Sequence, residues 1–212
     1  LIHEQANRCR DILQGMGSAG KDDLHLRHAP ISELVKQAAE PHINRGKKIN
    51  FTFFSDEQDD TKNDEPIVLR SPQIIHGLRN LIQNAVDFAS KNVWVEANWS
   101  DTTITIRVTD DGNGFPLDML GIMGEPFIKR RSTSEILDTR PEYEGMGLGI
   151  FIAKTLLERS GASLSFSNNF EKSNSNEVNN NGAMVEVSWP SIKIALKKND
   201  IFAPLGENKL IK

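Results

Sequence analysis

Asn80 and Asn84 lie four positions apart in a segment whose apolar residues recur at helical spacing. Side chains four positions apart share one face of a helix, so the two amides should point the same way. A carboxamide can orient phosphate oxygens, and its oxygen can ligate a hard cation such as Mg²⁺. The alternative interpretation is an exposed polar stripe on an ordinary surface helix.

A second group of candidate residues follows a segment of alternating apolar and polar residues: Asp110, Gly112 and Gly114. A carboxylate at a strand end can accept a hydrogen bond from the exocyclic amine of a purine. The glycines would let the backbone approach a ligand without a Cβ in the way. Asp-Gly and Asn-Gly pairs are also typical of tight turns, which is the alternative for this group.

A third group lies in the long segment from Gly112 to Gly149, which has little periodicity. Phe127 stands there beside Lys129, Arg130 and Arg131. An aromatic anchor next to cations favours a mobile lid whose charges meet a polyphosphate, and long irregular segments in compact domains are usually functional. A solvated basic loop is the alternative.

The fourth group, Gly145, Gly147, Leu148 and Gly149, runs directly into an apolar helical segment. Free amides at a helix amino terminus, approached through glycines, make an anion site. The segment is not a P-loop, because no Gly-Lys-Ser/Thr ends it. It is not a dinucleotide fingerprint either, because the strand–turn–helix unit with a later acidic residue is missing.

Composition limits the classes of protein that the chain can represent. Of its 212 residues, 38% are apolar, and 15 glycines bring that share to about 45%, the ordinary globular range. The net charge of −4 argues against a general nucleic-acid binder. The single cysteine, Cys9, excludes an intrachain disulfide framework and favours a reducing compartment. The length supports one sizeable core with a small appendage.

Periodicity and capping residues predict alternating helices and strands. Helices are expected over 1–16, from a Ser32 cap to about residue 39, from Ser71-Pro72 to about residue 89, and over 148–160. Strands are expected at 48–55, 67–69, 93–99, 102–109, 162–167 and 183–189. The segment 168–181 contains seven asparagines and is predicted to be a flexible loop.

The four groups, in this order and spacing, resemble the N, G1, F and G2 boxes of the histidine-kinase catalytic domain, within the Bergerat-type (GHKL) ATP-binding superfamily. The resemblance covers about residues 31–190. It implies a two-layer α/β sandwich, in which a mixed, mainly antiparallel sheet is backed by helices and ATP lies between the helices and a lid.

The resemblance also implies a role for each matching residue. Asn84 would chelate Mg²⁺, Asn80 would contact phosphate, and Asp110 would bind the adenine amine. Phe88 would contact the base, and Gly112 and Gly114 would make room for it. The lid contacts would be Phe127, Lys129 and Arg130. The phosphates would be bound by Gly145, Gly147, Leu148 and Gly149.

One position separates the branches of this superfamily. ATP-hydrolysing members carry a Glu where this chain has Asn80, and an amide cannot remove a proton at neutral pH. The resemblance therefore implies phosphoryl transfer to a histidine, with the base supplied from outside. Many histidine kinases have Lys-Tyr where this chain has Asp87-Phe88. None of the five histidines has the sequence context of a phosphoacceptor.

Residues 4–13 and 151–161 resemble the RegB/PrrB group of redox-responding sensor kinases. That resemblance implies that residues 1–20 are the truncated second helix of a dimerisation hairpin and that Cys9 is a redox thiol. Arg8 and Arg10 would favour its thiolate form. A small buried residue on an amphipathic helix is the alternative for Cys9.

The resulting layout has the helix remnant at 1–20, a linker at 21–30, the catalytic domain at 31–190 and a tail at 191–212. The lid region spans 112–149 and the flexible loop 168–181. A chain that opens with Leu1 inside a helical pattern is expected to be part of something longer.

The expected function is that of a Mg-ATP-binding catalytic domain that transfers the γ-phosphate to a histidine on a separate dimerisation domain. The expected partners are a cognate response regulator and a second copy in a homodimer, with no nucleic acid. The domain is expected to be cytoplasmic, and the parent protein to reach the bacterial inner membrane through upstream segments. The alternative is a non-catalytic nucleotide-binding interaction module.

Overall fold

The computed structural model describes residues 28–56, 64–117, 120–122, 146–170 and 180–196. In chain order, its elements are β1 (His28–Pro30), α1 (Ile31–Ala39), β2 (Lys48–Ser55), β3 (Ile67–Leu69), α2 (Pro72–Phe88), β4 (Asn92–Trp99), β5 (Thr103–Asp110), α3 (Met146–Arg159), β6 (Ser163–Phe170), β7 (Asn180–Pro190) and α4 (Ser191–Ile194), with 3₁₀ turns at Glu40–His42 and Leu120–Ile122. The predicted helix remnant at 1–20 lies outside the described residues.

The main sheet has five strands in the order β2-β4-β5-β7-β6. β2 pairs with β4 in parallel, and the other three pairings are antiparallel. A separate two-stranded sheet joins β1 to β3. The helices α2 and α3 back the main sheet, so the predicted two-layer sandwich with a mixed, mainly antiparallel sheet is confirmed.

The inner face of the sheet follows directly from the alternation in each strand. On β5, the side chains of Ile104, Ile106 and Val108 are buried, and their neighbours on the adjacent strands are buried as well. Asp110 continues the same alternation at the end of the strand and is buried with them. A carboxylate in an apolar row is costly unless it is hydrogen-bonded, so this strand end needs a specific explanation.

The close approach of α2 and α3 depends on a glycine. A Cβ added at Gly77 would lie 2.5 Å from the Cγ atom of Leu157, which is fully buried on α3. Because Gly77 has no side chain, the two helices can pack at short distance at this point.

The helix starts differ from the predicted caps in their hydrogen bonds. α2 begins at Pro72 as predicted, but Ser71 makes no side-chain capping bond. α1 begins at Ile31, after Pro30, and the Ser32 amide donates to Glu65 Oε1 at 2.6 Å. The predictions of Ser32 and Ser71 as side-chain caps are therefore wrong, and a carboxylate 33 residues away serves α1 instead.

Three predicted boundaries are wrong because backbone pairing extends past them. β6 reaches Phe170 and β7 starts at Asn180, so both ends of the predicted 168–181 loop belong to strands. His28–Pro30, predicted as linker, pairs with β3. The first residues of the predicted tail form α4, and Ala195 bridges to Val68. Among the described helices, none is both long and apolar enough to cross a membrane.

We expect Gly77→Ala to destabilise the fold. The new methyl group must displace Leu157, and this overpacking should outweigh the gain of about 0.5–1 kcal/mol that alanine brings to a helix interior. Urea unfolding should show the free energy of unfolding lowered by about 1–2 kcal/mol. Gly121→Ala is the matched control, because a Cβ there meets nothing within 4 Å. Equal stability of the two variants would contradict this account of the helix contact.

Candidate functional site

A cleft that is open to solvent lies between the inner face of the sheet and the helices α2 and α3. Its walls are mainly apolar, and its polar side chains are Asn84 on α2 and Asp110 at the end of β5. The residues that line the cleft include Asn84, Phe88, Asp110, Phe115, Ile150 and Val185, with Gly114 beside them. Predicted site residues from three different elements thus line one cavity.

The Asp110 carboxylate is fixed by backbone amides. Its Oδ1 accepts hydrogen bonds from the amides of Gly112 at 2.8 Å and Ala183 at 3.2 Å, which leaves Oδ2 as the oxygen available to a ligand. Burial raises the pKa of Asp110, the two amides counteract it in part, and the neighbouring charge of Asp111 adds to the rise. The net effect is a raised pKa, typical of a carboxylate held in a ligand cleft.

The two glycines after Asp110 have packing and backbone requirements that the sequence did not predict. A Cβ at Gly112 would lie 2.2 Å from the carbonyl oxygen of Phe88, so this glycine lets the loop pack on the end of α2 rather than making room for a base. Gly114 adopts φ +74°, a conformation that side chains other than hydrogen disfavour. A Cβ at Gly114 would also meet Asn168 at 2.9 Å.

Asn168 and Phe115 belong to the site but were missed in the sequence. Asn168 is 5% exposed; its Oδ1 accepts from the Phe115 amide at 2.7 Å, and its Nδ2 donates to the Phe115 carbonyl at 2.8 Å. The Phe115 ring packs edge-on against Phe166, with 6.1 Å between centroids. The only signal in the sequence was the alternation of Leu164, Phe166 and Asn168, which the surrounding asparagines obscured.

The first turn of α3 lies against Asn84. A Cβ at Gly149 would be 3.4 Å from Asn84 Oδ1, and Ile150 beside it is buried in the cleft wall. Asn84 Nδ2 is buried and has no hydrogen-bond partner among the described residues. An amide in this state is suited to a ligand that supplies the missing partner, and the free amides at the start of α3 suit an anion.

Asn80 is buried but does not line the cleft. Its Nδ2 donates to the carbonyl of His76 at 2.9 Å, within its own helix. The phosphate role of Asn80 therefore stays a prediction. Gly147 is the second residue of α3, and Leu148 next to it is 36% exposed. The remaining candidates, Cys9, Phe127, Lys129, Arg130 and Gly145, lie outside the described residues.

Asp87, which stands where many histidine kinases have a lysine, forms an ion pair. Its carboxylate lies 2.8 Å from the Arg45 guanidinium in the loop before β2, and both side chains are more than a third exposed. The pair ties this loop to the end of α2. It also neutralises a negative charge one turn away from Asn84.

Comparison with known proteins identifies relatives of this arrangement. Residues 70–193 match the family described as histidine kinase-, DNA gyrase B-, and HSP90-like ATPase. The sensor histidine kinase RegB of Cereibacter sphaeroides is 52% identical across the whole chain, which spans 45% of the length of RegB.

Solved structures with the same fold are also histidine kinases. The mycobacterial sensor histidine kinase MprB has a TM-score of 0.55 at 18% identity, covering 77% of this chain and 95% of that one. The catalytic domain of histidine kinase ThkA has a TM-score of 0.53 at 20% identity, covering 77% and 93%. At these identities the likeness concerns the fold alone, whereas the family match and RegB confirm the resemblance drawn from the motifs.

We expect Asp110→Asn and Asp111→Asn to change the pH dependence of stability in opposite directions. The raised pKa of Asp110 means that wild-type stability falls as pH rises from the unfolded pKa through the folded one, and asparagine removes that loss. Burial tends to raise the pKa of Asp111, but hydrogen bonds from Lys91 and Asn92 outweigh it, so the pKa is lowered.

Urea unfolding between about pH 2.5 and pH 8 measures both effects, because the Asp110 effect lies above the usual aspartate pKa and the Asp111 effect lies below it. The stability of Asp110→Asn relative to wild type should increase as pH rises. That of Asp111→Asn should decrease, because the ionised Asp111 stabilises the fold above its unfolded pKa and this contribution is lost as pH falls. Parallel curves for the two variants would contradict the electrostatic account of this strand end.

Proposed function

Because the chain belongs to the histidine kinase-, DNA gyrase B- and HSP90-like ATPase family, as the ATP-binding catalytic domain of a sensor histidine kinase, we propose that it binds Mg-ATP and transfers the γ-phosphate to a histidine outside this domain. The observation that carries the proposal is the convergence of Asn84, Asp110 and the start of α3 on one cleft. The chain spans less than half of RegB, so the activity of the whole protein is inferred.

The base of ATP would occupy the end of the cleft next to β5. Asp110 Oδ2 would accept a hydrogen bond from the adenine amine while Oδ1 stays on its two backbone amides. Phe115 and Val185 supply apolar walls that would remove the faces of the base from water. A purine amine and a buried carboxylate satisfy each other, which offsets the cost of burying the charge.

The triphosphate would extend towards Asn84 and the first turn of α3. Asn84 Oδ1, which lies against Gly149 at the start of α3, would ligate Mg²⁺ beside the phosphates, and the helix amides support an anion next to it. Bound Mg²⁺ would supply charge neutralisation at the phosphates. We assign Phe127, Lys129, Arg130, Gly145, Gly147 and Leu148 to lid and phosphate contacts on the sequence motif alone.

The reaction would be phosphoryl transfer rather than hydrolysis. Asn80 stands where the ATP-hydrolysing branches have a glutamate, and an amide cannot act as general base. An imidazole nucleophile needs no such base within this domain, because its free nitrogen attacks in line. The domain would then contribute mainly position and electrostatic stabilisation.

The partners follow from this chemistry and from the name of RegB. The phosphoacceptor histidine would lie on a dimerisation domain of the same protein, which would act as a homodimer and pass the phosphate to a response regulator. ATP is supplied from the cytoplasm, so we infer that the domain faces it from a parent protein in the inner membrane. Cys9 would serve redox control of the dimer. Mild oxidation should then link two copies of the wild-type chain by a disulfide, and Cys9→Ser should form no such link.

We expect Asn84→Ala to weaken nucleotide binding only when Mg²⁺ is present. Calorimetric titration with a non-hydrolysable ATP analogue in Mg²⁺ should give a Kd raised about tenfold, the cost of one lost contact to a charged group. In EDTA the two proteins should bind alike, because the metal contact is absent from both. Asn98→Ala is the matched control, since that amide lies on β4 and donates to Asp56, away from the cleft. An equal loss with and without Mg²⁺ would refute the metal role of Asn84.

We expect the chain to transfer phosphate to another protein but not to itself. With ATP labelled at the γ-phosphate, no label should appear on this chain, and label should appear on an added RegB dimerisation domain that carries its phosphoacceptor histidine. Asp110→Asn should abolish that label, because its amide nitrogen would face the adenine amine, donor to donor. Absence of nucleotide binding would favour the non-catalytic interaction module. Steady release of phosphate would favour an ATPase of the gyrase type.

A further inference from the structure

We propose that Asn168 is a positioning residue that sets the adenine end of the cleft and thereby the preference for adenine over other bases. The inference rests on the proposed function. The hydrogen bonds described for the Asn168 side chain go to the backbone of Phe115, in the loop that follows Asp110.

The contact fixes the backbone of one residue, Phe115, at both of its polar groups. Asn168 uses its oxygen to accept from the Phe115 amide and its nitrogen to donate to the Phe115 carbonyl, at 2.7 and 2.8 Å. Both groups are buried, and a buried backbone group left without a partner is costly. The loop from 111 to 117 has no strand ladder of its own, so this side chain supplies what a neighbouring strand would supply elsewhere.

Asn168 is itself held rigidly, since it lies on β6 in register with Ala183 on β7. The Ala183 amide donates to Asp110 Oδ1. The β6–β7 pair therefore holds both contacts that a purine would meet: the carboxylate oxygen of Asp110 and the wall formed by Gly114 and Phe115. A shift of the loop would alter the space available to the base without moving Asn84 or the start of α3.

This separation predicts a selective effect on the base. In Asn168→Ala, the backbone N–H and C=O of Phe115 both lose their hydrogen-bond partner, and the loop should relax away from its position. The Kd for a non-hydrolysable ATP analogue should rise about tenfold. The Kd for the corresponding GTP analogue should change little, because guanine does not make the contact with Asp110 in the first place. The ratio of the Kd for the GTP analogue to the Kd for the ATP analogue should therefore fall about tenfold.

The test is calorimetric titration of both analogues into wild type, Asn168→Ala, Asn168→Asp and the control Asn98→Ala, with circular dichroism to establish folding. Asn168→Asp conserves size and the oxygen that accepts from Phe115, but its second oxygen faces the Phe115 carbonyl. Asn168→Asp should lower the ratio as well, and because it leaves no cavity, a cavity would then be excluded as the cause. It also provides the test if Asn168→Ala does not fold. Asn98→Ala removes the same amide from the other face of the sheet and should leave the ratio unchanged.

The outcomes separate this inference from the proposed function. Wild type that binds the ATP analogue, together with an unchanged ratio in the folded variants, overturns the role of Asn168 alone. Wild type that binds neither analogue overturns the proposed function and this inference with it. A general loss of affinity for both analogues, with the ratio preserved, makes Asn168 a structural residue and overturns its role in base selection.

Discussion

The buried carboxylate of Asp110 is the constraint that organises this domain. A charge in the apolar inner row of a sheet must be satisfied, and here two backbone amides from different parts of the chain satisfy one of its oxygens. One amide comes from Gly112, whose lack of a side chain lets the loop meet the end of α2. The other comes from Ala183, preceded by Gly182, where a Cβ would overlap the Asp110 carbonyl. The strand end, the helix end and the neighbouring strand are thus fixed together around one oxygen, and the second oxygen is left to a ligand.

The opposite end of the cleft depends on how closely two helices approach. Gly77 meets Leu157, and Asn84 meets Gly149, so both contacts lie on the same interface about two turns apart on antiparallel helices. The first contact sets the distance between the helix axes, and the second uses that distance to bring the amino terminus of α3 to the Asn84 amide. Stability and ligand geometry are therefore coupled at this interface, whereas the Asp110 end is set by the sheet.

Much of the fold was predictable because its signals are local. Alternation identified every strand of the main sheet, and proline identified the start of α2. Residues of three of the four motifs line the cleft or lie against it, and the Phe127 motif lies outside the described residues. Asn168 was missed because its partner, Phe115, is 53 residues away and composition around it resembles a loop. The close packing of Gly112 was missed for the same reason, because the carbonyl of Phe88 that leaves no room for a Cβ there belongs to a distant element. Long-range partners decide these positions, and a local pattern cannot contain them.

The charges around the cleft are arranged in a way that favours a polyanion at one end only. Asp87 is paired with Arg45, and Asp111 is held by the amides of Lys91 and Asn92, so neither carboxylate presents an uncompensated charge near Asn84. Arg107, with Glu96 and Glu186, forms an ion-pair network on the outer face of the sheet, away from the cleft. Among the described residues that line the cavity, Asp110 is the only acidic one, and it lies at the end of β5 rather than on a helix. A ligand with a hydrogen-bond donor at one end and negative charge at the other meets complementary groups at both ends, whereas the reverse orientation would bring phosphate against a buried carboxylate. The orientation of a nucleotide in this cleft is thus decided by electrostatics before any lid contact is made.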